Sequence, residues 1–69
     1  MLISLLILPG TGQRDVQLPE GSTVNYLIES QNLHGRQIIL NGVTVPSTEY
    51  SRVLVSGDEV AATTSVKGA

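Results

Sequence analysis

Residues 36–46, which read RQIILNGVTVP, carry the most specific local signal in this sequence. The pair Asn41-Gly42 separates two runs of mainly aliphatic residues, and Asn-Gly is the preferred two-residue turn of a β-hairpin because both positions take a positive φ. The stretch therefore predicts one strand at Gln37–Leu40 and a short second strand at Val43–Val45. Pro46 should end the second strand, since proline has no N–H to donate to a neighbouring strand.

The residues before this hairpin predict two more strands. Residues 1–8, MLISLLIL, are almost wholly apolar and stop at PGTGQ, residues 9–13. A short apolar run between turn signals is typical of a buried strand. Residues 14–18, RDVQL, alternate polar and apolar side chains and place Val16 and Leu18 on one face. We therefore expect the first two strands to form a hairpin around residues 9–13.

A helix is predicted between the two hairpins. Its apolar positions recur at helical spacing and are Val24, Leu27 and Ile28. The pattern predicts a helix over residues 23–32, with Ser22 or Thr23 capping the free N–H groups of its first turn. Gly35 suits the left-handed residue that commonly ends a helix. Because the helix has a single apolar stripe, we expect that stripe to lie on one face of a sheet.

The last third of the chain predicts a closing strand. Residues 47–57 are a polar stretch with a few buried anchors, and the turn Ser56-Gly57-Asp58 leads into a final strand at residues 58–66. The element order is therefore β-β-α-β-β-β. We expect an α+β fold in a single domain over residues 1–69: a mixed sheet of four to five strands with one helix on one face. If strand 1 pairs with both strand 2 and the last strand, it must be apolar on both faces.

Three segments together resemble a known family. They are LPEGSTVNYLIES at residues 18–30, ILNGVTVP at residues 39–46 and LVSGDEVAATTSV at residues 54–66. In order and spacing the sequence is similar to the small sulfur carriers of thiamine and molybdopterin synthesis, a branch of the ubiquitin-like β-grasp proteins. The resemblance implies the β-grasp fold. It also implies an adenylating enzyme as a partner, which activates the terminal carboxylate of the carrier for conversion to a thiocarboxylate.

The C-terminal residues depart from that family. Its carriers finish in Gly-Gly, whereas this sequence finishes in Lys67-Gly68-Ala69. Gly68 aligns with the penultimate glycine, and Ala69 stands where the reacting glycine would be. A diglycine can thread a narrow channel and take backbone angles closed to other residues, and a methyl group restricts both. We expect residues 66–69 to form a flexible tail. The resemblance supports the fold and does not support the chemistry.

The composition argues against several classes of function. Four basic residues are outnumbered by six acidic ones and only two aromatics are present, so neither a phosphate-binding stripe nor a base-stacking platform is expected. Residues 1–8 are too short to span a membrane, which takes about 18 apolar residues. With no cysteine there is no disulfide or zinc–thiolate site, and a reducing cytoplasm is the default location. We expect no nucleic-acid, membrane, metal or cofactor partner.

The polar residues do not predict a catalytic site. His34 is the single histidine, and no second metal ligand lies at a supportive spacing. Asp58 and Glu59 are adjacent, so in a strand their side chains point to opposite faces, and turn chemistry is the better interpretation of Asp58. No Gly-x-Ser-x-Gly motif or organised nucleophile and base can be named. The protein is therefore expected not to be an enzyme.

Strand 1 predicts an apolar surface on the open face of the sheet. Its only polar residue is Ser4, and the unbroken alternate set, which should face the helix, is Ile3, Leu5 and Ile7. The Ser4 side should then expose a contact surface made of Leu2, Leu6, Leu8 and, from strand 3, Ile39. A contiguous apolar patch on a small protein usually marks a contact surface.

Two functions follow from these observations. The first is a non-enzymatic protein that docks another protein, or a second copy of itself, through the sheet face. Such a protein could be an adaptor, an inhibitor or an assembly subunit, including one encoded by a virus. The second is a sulfur carrier with an atypical end, in which Lys67, Gly68 and Ala69 enter an adenylating enzyme. The absent Gly-Gly favours the first, and the alignment of the tail with the carriers up to the last residue favours the second. We prefer the first.

Overall fold

The computed structural model describes residues 1–10 and 12–64. The strands are β1 (Leu2–Leu8), β2 (Gly12–Gln17), β3 (Arg36–Leu40), β4 (Val43–Val45) and β5 (Glu59–Thr64). The helix α1 spans Val24–Gln31, and a short 3₁₀ helix at Ser47–Glu49 lies between β4 and β5. The predicted order β-β-α-β-β-β is confirmed.

The five strands form one mixed sheet in the order β2-β1-β5-β3-β4. β1 is antiparallel to β2 and parallel to β5, and β3 is antiparallel to both β5 and β4. β1 therefore has a neighbour on each side, as predicted from its lack of alternation. β2 begins two residues earlier than expected, at Gly12, and ends at Gln17, while Leu18 lies just beyond it and is still buried.

The β3–β4 turn has the predicted geometry. Asn41 has a φ of 50° and Gly42 a φ of 85°, so both central residues lie in the left-handed region. Leu40 and Val43 lie opposite each other where the two strands meet the turn. Positive φ at both positions matches the right-handed twist of the flanking strands, which is why this dipeptide makes a tight hairpin.

The helix is capped by Thr23 and Asn32. The Thr23 hydroxyl accepts a hydrogen bond from the N–H of Tyr26 at 3.1 Å, so Thr23 rather than Ser22 is the N-cap. The prediction that Gly35 ends the helix is wrong. Asn32 takes the left-handed conformation, with a φ of 56°, and its N–H donates to the carbonyl of Ile28. Asparagine tolerates this region because its short polar side chain can bond locally, so the helix is capped three residues before Gly35.

The core lies between α1 and one face of the sheet. Val24, Leu27 and Ile28 are buried, as predicted from their spacing. They belong to one cluster with alternate residues of the strands, among them Ile3, Leu5, Ile38, Leu40, Val60 and Ala62. Ile7, the third residue expected on this side of β1, is partly buried and packs against the same cluster. The helix covers this face, so the opposite face of the sheet is left uncovered by any described element.

The segment between β4 and β5 is anchored at Leu54. Leu54 is buried in the core, and its N–H donates to the carbonyl of Ser22 at 2.8 Å. The carbonyl of Arg52 accepts from the N–H of Val24 at 3.0 Å, so the same segment meets the start of the helix. The predicted tail at residues 66–69 lies outside the described residues. In residues 1–10 and 12–64, no helix is long and apolar enough to cross a membrane.

Candidate functional site

The uncovered face of the sheet has an apolar row across its three central strands. Leu6 of β1 lies opposite Ala61 of β5, and Ala61 lies opposite Ile39 of β3. Residues directly opposite in a sheet share a face, so these three side chains form what we call the central row. Gln13 of β2 and Thr44 of β4 continue the row at its two ends. The face is therefore apolar in the middle and polar at both edges.

The central row forms the floor of a shallow depression. Leu6, Ala61 and Ile39 are each partly buried by their neighbours, and the depression has a volume of about 200 Å³. Ser4 and Gln13 line one side of it, where the amide nitrogen of Gln13 donates a hydrogen bond to the Ser4 hydroxyl. The depression is a concave apolar surface with a polar wall.

The four residues predicted for a contact surface are brought together only in part. Leu6 and Ile39 lie close together, because only Ala61 stands between them and neighbouring strands are about 4.8 Å apart. Leu8 is 43% exposed and lies in the next row along β1. Leu2 is 46% exposed but lies two positions beyond Ser4, so the polar row that contains Ser4 separates it from the central row.

Sequence reasoning missed Ala61. Its alternation with the buried Val60 and Ala62 could have placed it on the open face of a strand. Its position between Leu6 and Ile39 depends on the parallel register of β5 against β1, which no local pattern encodes. The small side chain of Ala61 leaves the depression between the two larger ones.

A polar row borders the central row. Ser4 lies opposite Asp15 of β2 and opposite Glu59 of β5, so two carboxylate residues flank it on the same face. The two strand arginines belong to the other face. Arg14 lies opposite the buried Leu5 and donates to the Gln31 side chain at 2.6 Å. Arg36 stands two residues before the buried Ile38 and therefore shares its face.

Asp58 has a structural role at the end of the sheet. It is 8% exposed, and its carboxylate accepts from the Asn41 side-chain amide at 3.1 Å and from the N–H of Val55 at 2.9 Å. The side-chain oxygen Oδ1 of Asn41 accepts in turn from the backbone N–H of Glu59 at 2.9 Å. We call this pair of side chains the Asn41–Asp58 clasp. The buried carboxylate and the open-face Glu59 do not converge on a common point.

The whole arrangement matches a known fold. Comparison with protein-family models and with curated protein sequences gave no match. Comparison with solved structures gave the crystal structure of SAMP1 from Haloferax volcanii, with a TM-score of 0.77 over 100% of both chains and 13% sequence identity. The chain has the ubiquitin-like β-grasp fold. At this identity the likeness shows the fold alone.

Two further polar residues of this β-grasp chain, His34 and Ser22, form local contacts. His34 lies 3.4 Å from the Glu29 carboxylate, and both side chains are more than half exposed. The Ser22 hydroxyl donates to the carbonyl of Pro19 at 2.7 Å. Among residues 1–10 and 12–64, no three His, Asp or Glu side chains lie close enough together to hold a metal ion. The open face is therefore the candidate site that the described part of the chain offers.

Proposed function

We propose that this β-grasp chain is a non-enzymatic protein that acts by docking another protein on the open face of its sheet. The observation that carries the proposal is the central row, three apolar side chains that lie side by side on the face that α1 does not cover. The core does not need them, because the helix packs on the other side. Contiguous apolar surface of this kind usually marks a contact with a partner.

The central row has apolar area left to bury. Complete burial of a leucine or isoleucine side chain is worth about 1.5–3 kcal/mol, and Leu6 and Ile39 are partly exposed, so each retains a fraction of that gain for a partner. Leu8, which is more exposed, extends the surface along β1. A docking role of this kind suits an adaptor, an inhibitor or an assembly subunit in the cytoplasm.

Replacing Leu6 by aspartate tests the proposal. The wild-type chain, Leu6→Asp and the matched control Val43→Asp are immobilised, and each is used to capture proteins from an extract of the organism that encodes the chain. Val43 is 63% exposed on the edge strand β4 and lies opposite Leu40, away from the open face. A partner retained by the wild type and by Val43→Asp should be lost from Leu6→Asp.

Circular dichroism and thermal unfolding of the same three chains complete the test. Leu6→Asp should remain folded, because the side chain points away from the core. If Leu6→Asp is unfolded, β1 is needed on both faces and no free docking surface exists. If the folded variant retains every partner that the wild type retains, docking does not use the central row.

The second candidate function is that of a sulfur carrier. It is favoured by the three segments that resemble the carriers of thiamine and molybdopterin synthesis. The third segment, residues 54–66, includes β5 and is followed in sequence by Lys67, Gly68 and Ala69. In that case the partner is an adenylating enzyme and the reacting group is the carboxylate of Ala69. The open face would serve to dock that enzyme, so the two candidates differ in whether the last residues undergo chemistry.

A further inference from the structure

Two acidic side chains stand beside the central row on the open face. Asp15 and Glu59 lie on either side of Ser4 in the neighbouring row, and both are exposed. With strands about 4.8 Å apart, their Cα atoms are roughly 10 Å from each other. Glu59 also lines the depression whose floor includes Leu6 and Ile39. The apolar surface is therefore bordered on one side by two negative charges.

These two charges are not neutralised within residues 1–10 and 12–64. Neither side chain forms an ion pair or a hydrogen bond there, whereas Glu20 lies 3.5 Å from the N-terminal ammonium group and Glu29 lies beside His34. Arg36 lies on the helix face of the sheet, where its side chain donates to the carbonyl of Leu8 at 3.1 Å. Strand alternation thus leaves the described part of this face with acidic groups and no basic ones.

We propose that the partner docked by the open face is a protein surface with an apolar centre and lysine or arginine side chains on one side. This inference rests on the proposed function and specifies its partner. The apolar centre would cover the central row, while the basic side chains would meet Asp15 and Glu59. Complementary charge sets the orientation of such a contact and speeds its formation. A second copy of this chain fits poorly, because the described part of its open face has no lysine or arginine side chain to meet Asp15 and Glu59.

The expected size of the effect is modest. Exposed ion pairs contribute little each, and two of them correspond to a change of about 2- to 30-fold in Kd. The contribution should also fall with salt, because the screening length shortens from about 10 Å at 0.1 M to about 3 Å at 1 M. Charge therefore selects among partners, and the central row supplies most of the binding.

The test uses three synthetic amphipathic peptides with the same leucine face and with lysine, glutamine or glutamate at their polar positions. Each is titrated into the ¹⁵N-labelled full chain, and the backbone amide shifts of Leu6, Ile39 and Ala61 report binding. The lysine peptide should bind about 2- to 30-fold more tightly than the glutamine peptide, and the glutamate peptide more weakly than both. Added salt should bring the three affinities together.

Paired variants assign the effect to its residues. The double variant Asp15→Asn with Glu59→Gln should remove the preference for lysine, whereas the matched control Glu49→Gln, an exposed residue of the 3₁₀ helix, should keep it. Equal affinity of all three peptides at the open face would overturn the charge inference and leave docking intact. Shifts that avoid the open face, or no binding by any peptide, would count against both.

Discussion

Replacing Asn41 by glycine, Asp58 by alanine, and both together measures what the Asn41–Asp58 clasp contributes to the fold. The clasp joins the β3–β4 turn to the first residues of β5, which are far apart in sequence. Asn41→Gly is a clean perturbation, since Gly-Gly also forms this turn and glycine accepts the φ of 50° found at Asn41. It therefore removes the side chain without straining the backbone.

The magnitude follows from the bonds that each change removes. Asn41→Gly loses one hydrogen bond to a charged group, worth about 1.5–3 kcal/mol, and one to a backbone N–H, worth about 0.5–1.5 kcal/mol. The single variant should lose about 2–4 kcal/mol of unfolding free energy. At about 0.05–0.15 kcal/mol per residue, the whole 69-residue chain has only about 3–10 kcal/mol. The loss should therefore be a large share of the total.

Urea unfolding of the wild type, the two single variants and the double variant gives the coupling between the two side chains. Asp58→Ala also frees the N–H of Val55, but that loss occurs with and without Asn41 and cancels in the cycle. The expected coupling is about 1.5–3 kcal/mol, because only the bond between the two side chains is shared. If the losses of the two single variants add up to the loss of the double variant within about 0.5 kcal/mol, the two side chains are not energetically coupled. That result would refute the reasoning.

Two further predictions concern the core and the tail. Leu27→Ala should lower the unfolding free energy by about 2–5 kcal/mol, because Leu27 is fully buried. The adjacent control Tyr26→Ala should lower it far less, because Tyr26 is 46% exposed. Equal losses of the two variants in urea unfolding would contradict the orientation of α1. The native chain, incubated with an adenylating enzyme, ATP and a sulfur donor, should show no thiocarboxylate by intact mass. The reason is that in a channel shaped for glycine the Ala69 methyl group would displace the reacting carboxylate. Ala69→Gly is the matched variant, and a thiocarboxylate on the unchanged chain would favour the sulfur-carrier function.

Local chemistry explains the elements that could be predicted. The Asn41-Gly42 turn, the apolar stripe of α1 and the unbroken apolar run of β1 each depend on residues near one another in sequence. Where two nearby residues satisfied the same local requirement, the sequence did not decide between them, and the prediction of Gly35 as the end of the helix was wrong. Asn32 and Gly35 both accept a left-handed conformation, and the chain uses Asn32 to end the helix while Leu33 turns into the core.

The candidate site was predictable only as a set of side chains on one face. Alternation along β1 and β3 placed Leu6 and Ile39 on the side that the helix does not cover. It could not show that Leu2 is cut off from them by the row of Ser4, or that Ala61 joins them. Those relations depend on which strands pair and in which register, and pairing is decided by the packing of the whole sheet.

By itself, then, the sequence determined the strands, the helix, the hairpin turn and the apolar character of β1, because each arises from backbone preferences and periodicity within a few residues. Only the tertiary structure decided that β5 enters between β1 and β3. That insertion creates the central row, places Glu59 beside Ser4 opposite Asp15, and brings Asp58 to Asn41. The physical reason is that burial of alternate β5 residues against α1 requires one register, and that register sets every contact on the other face.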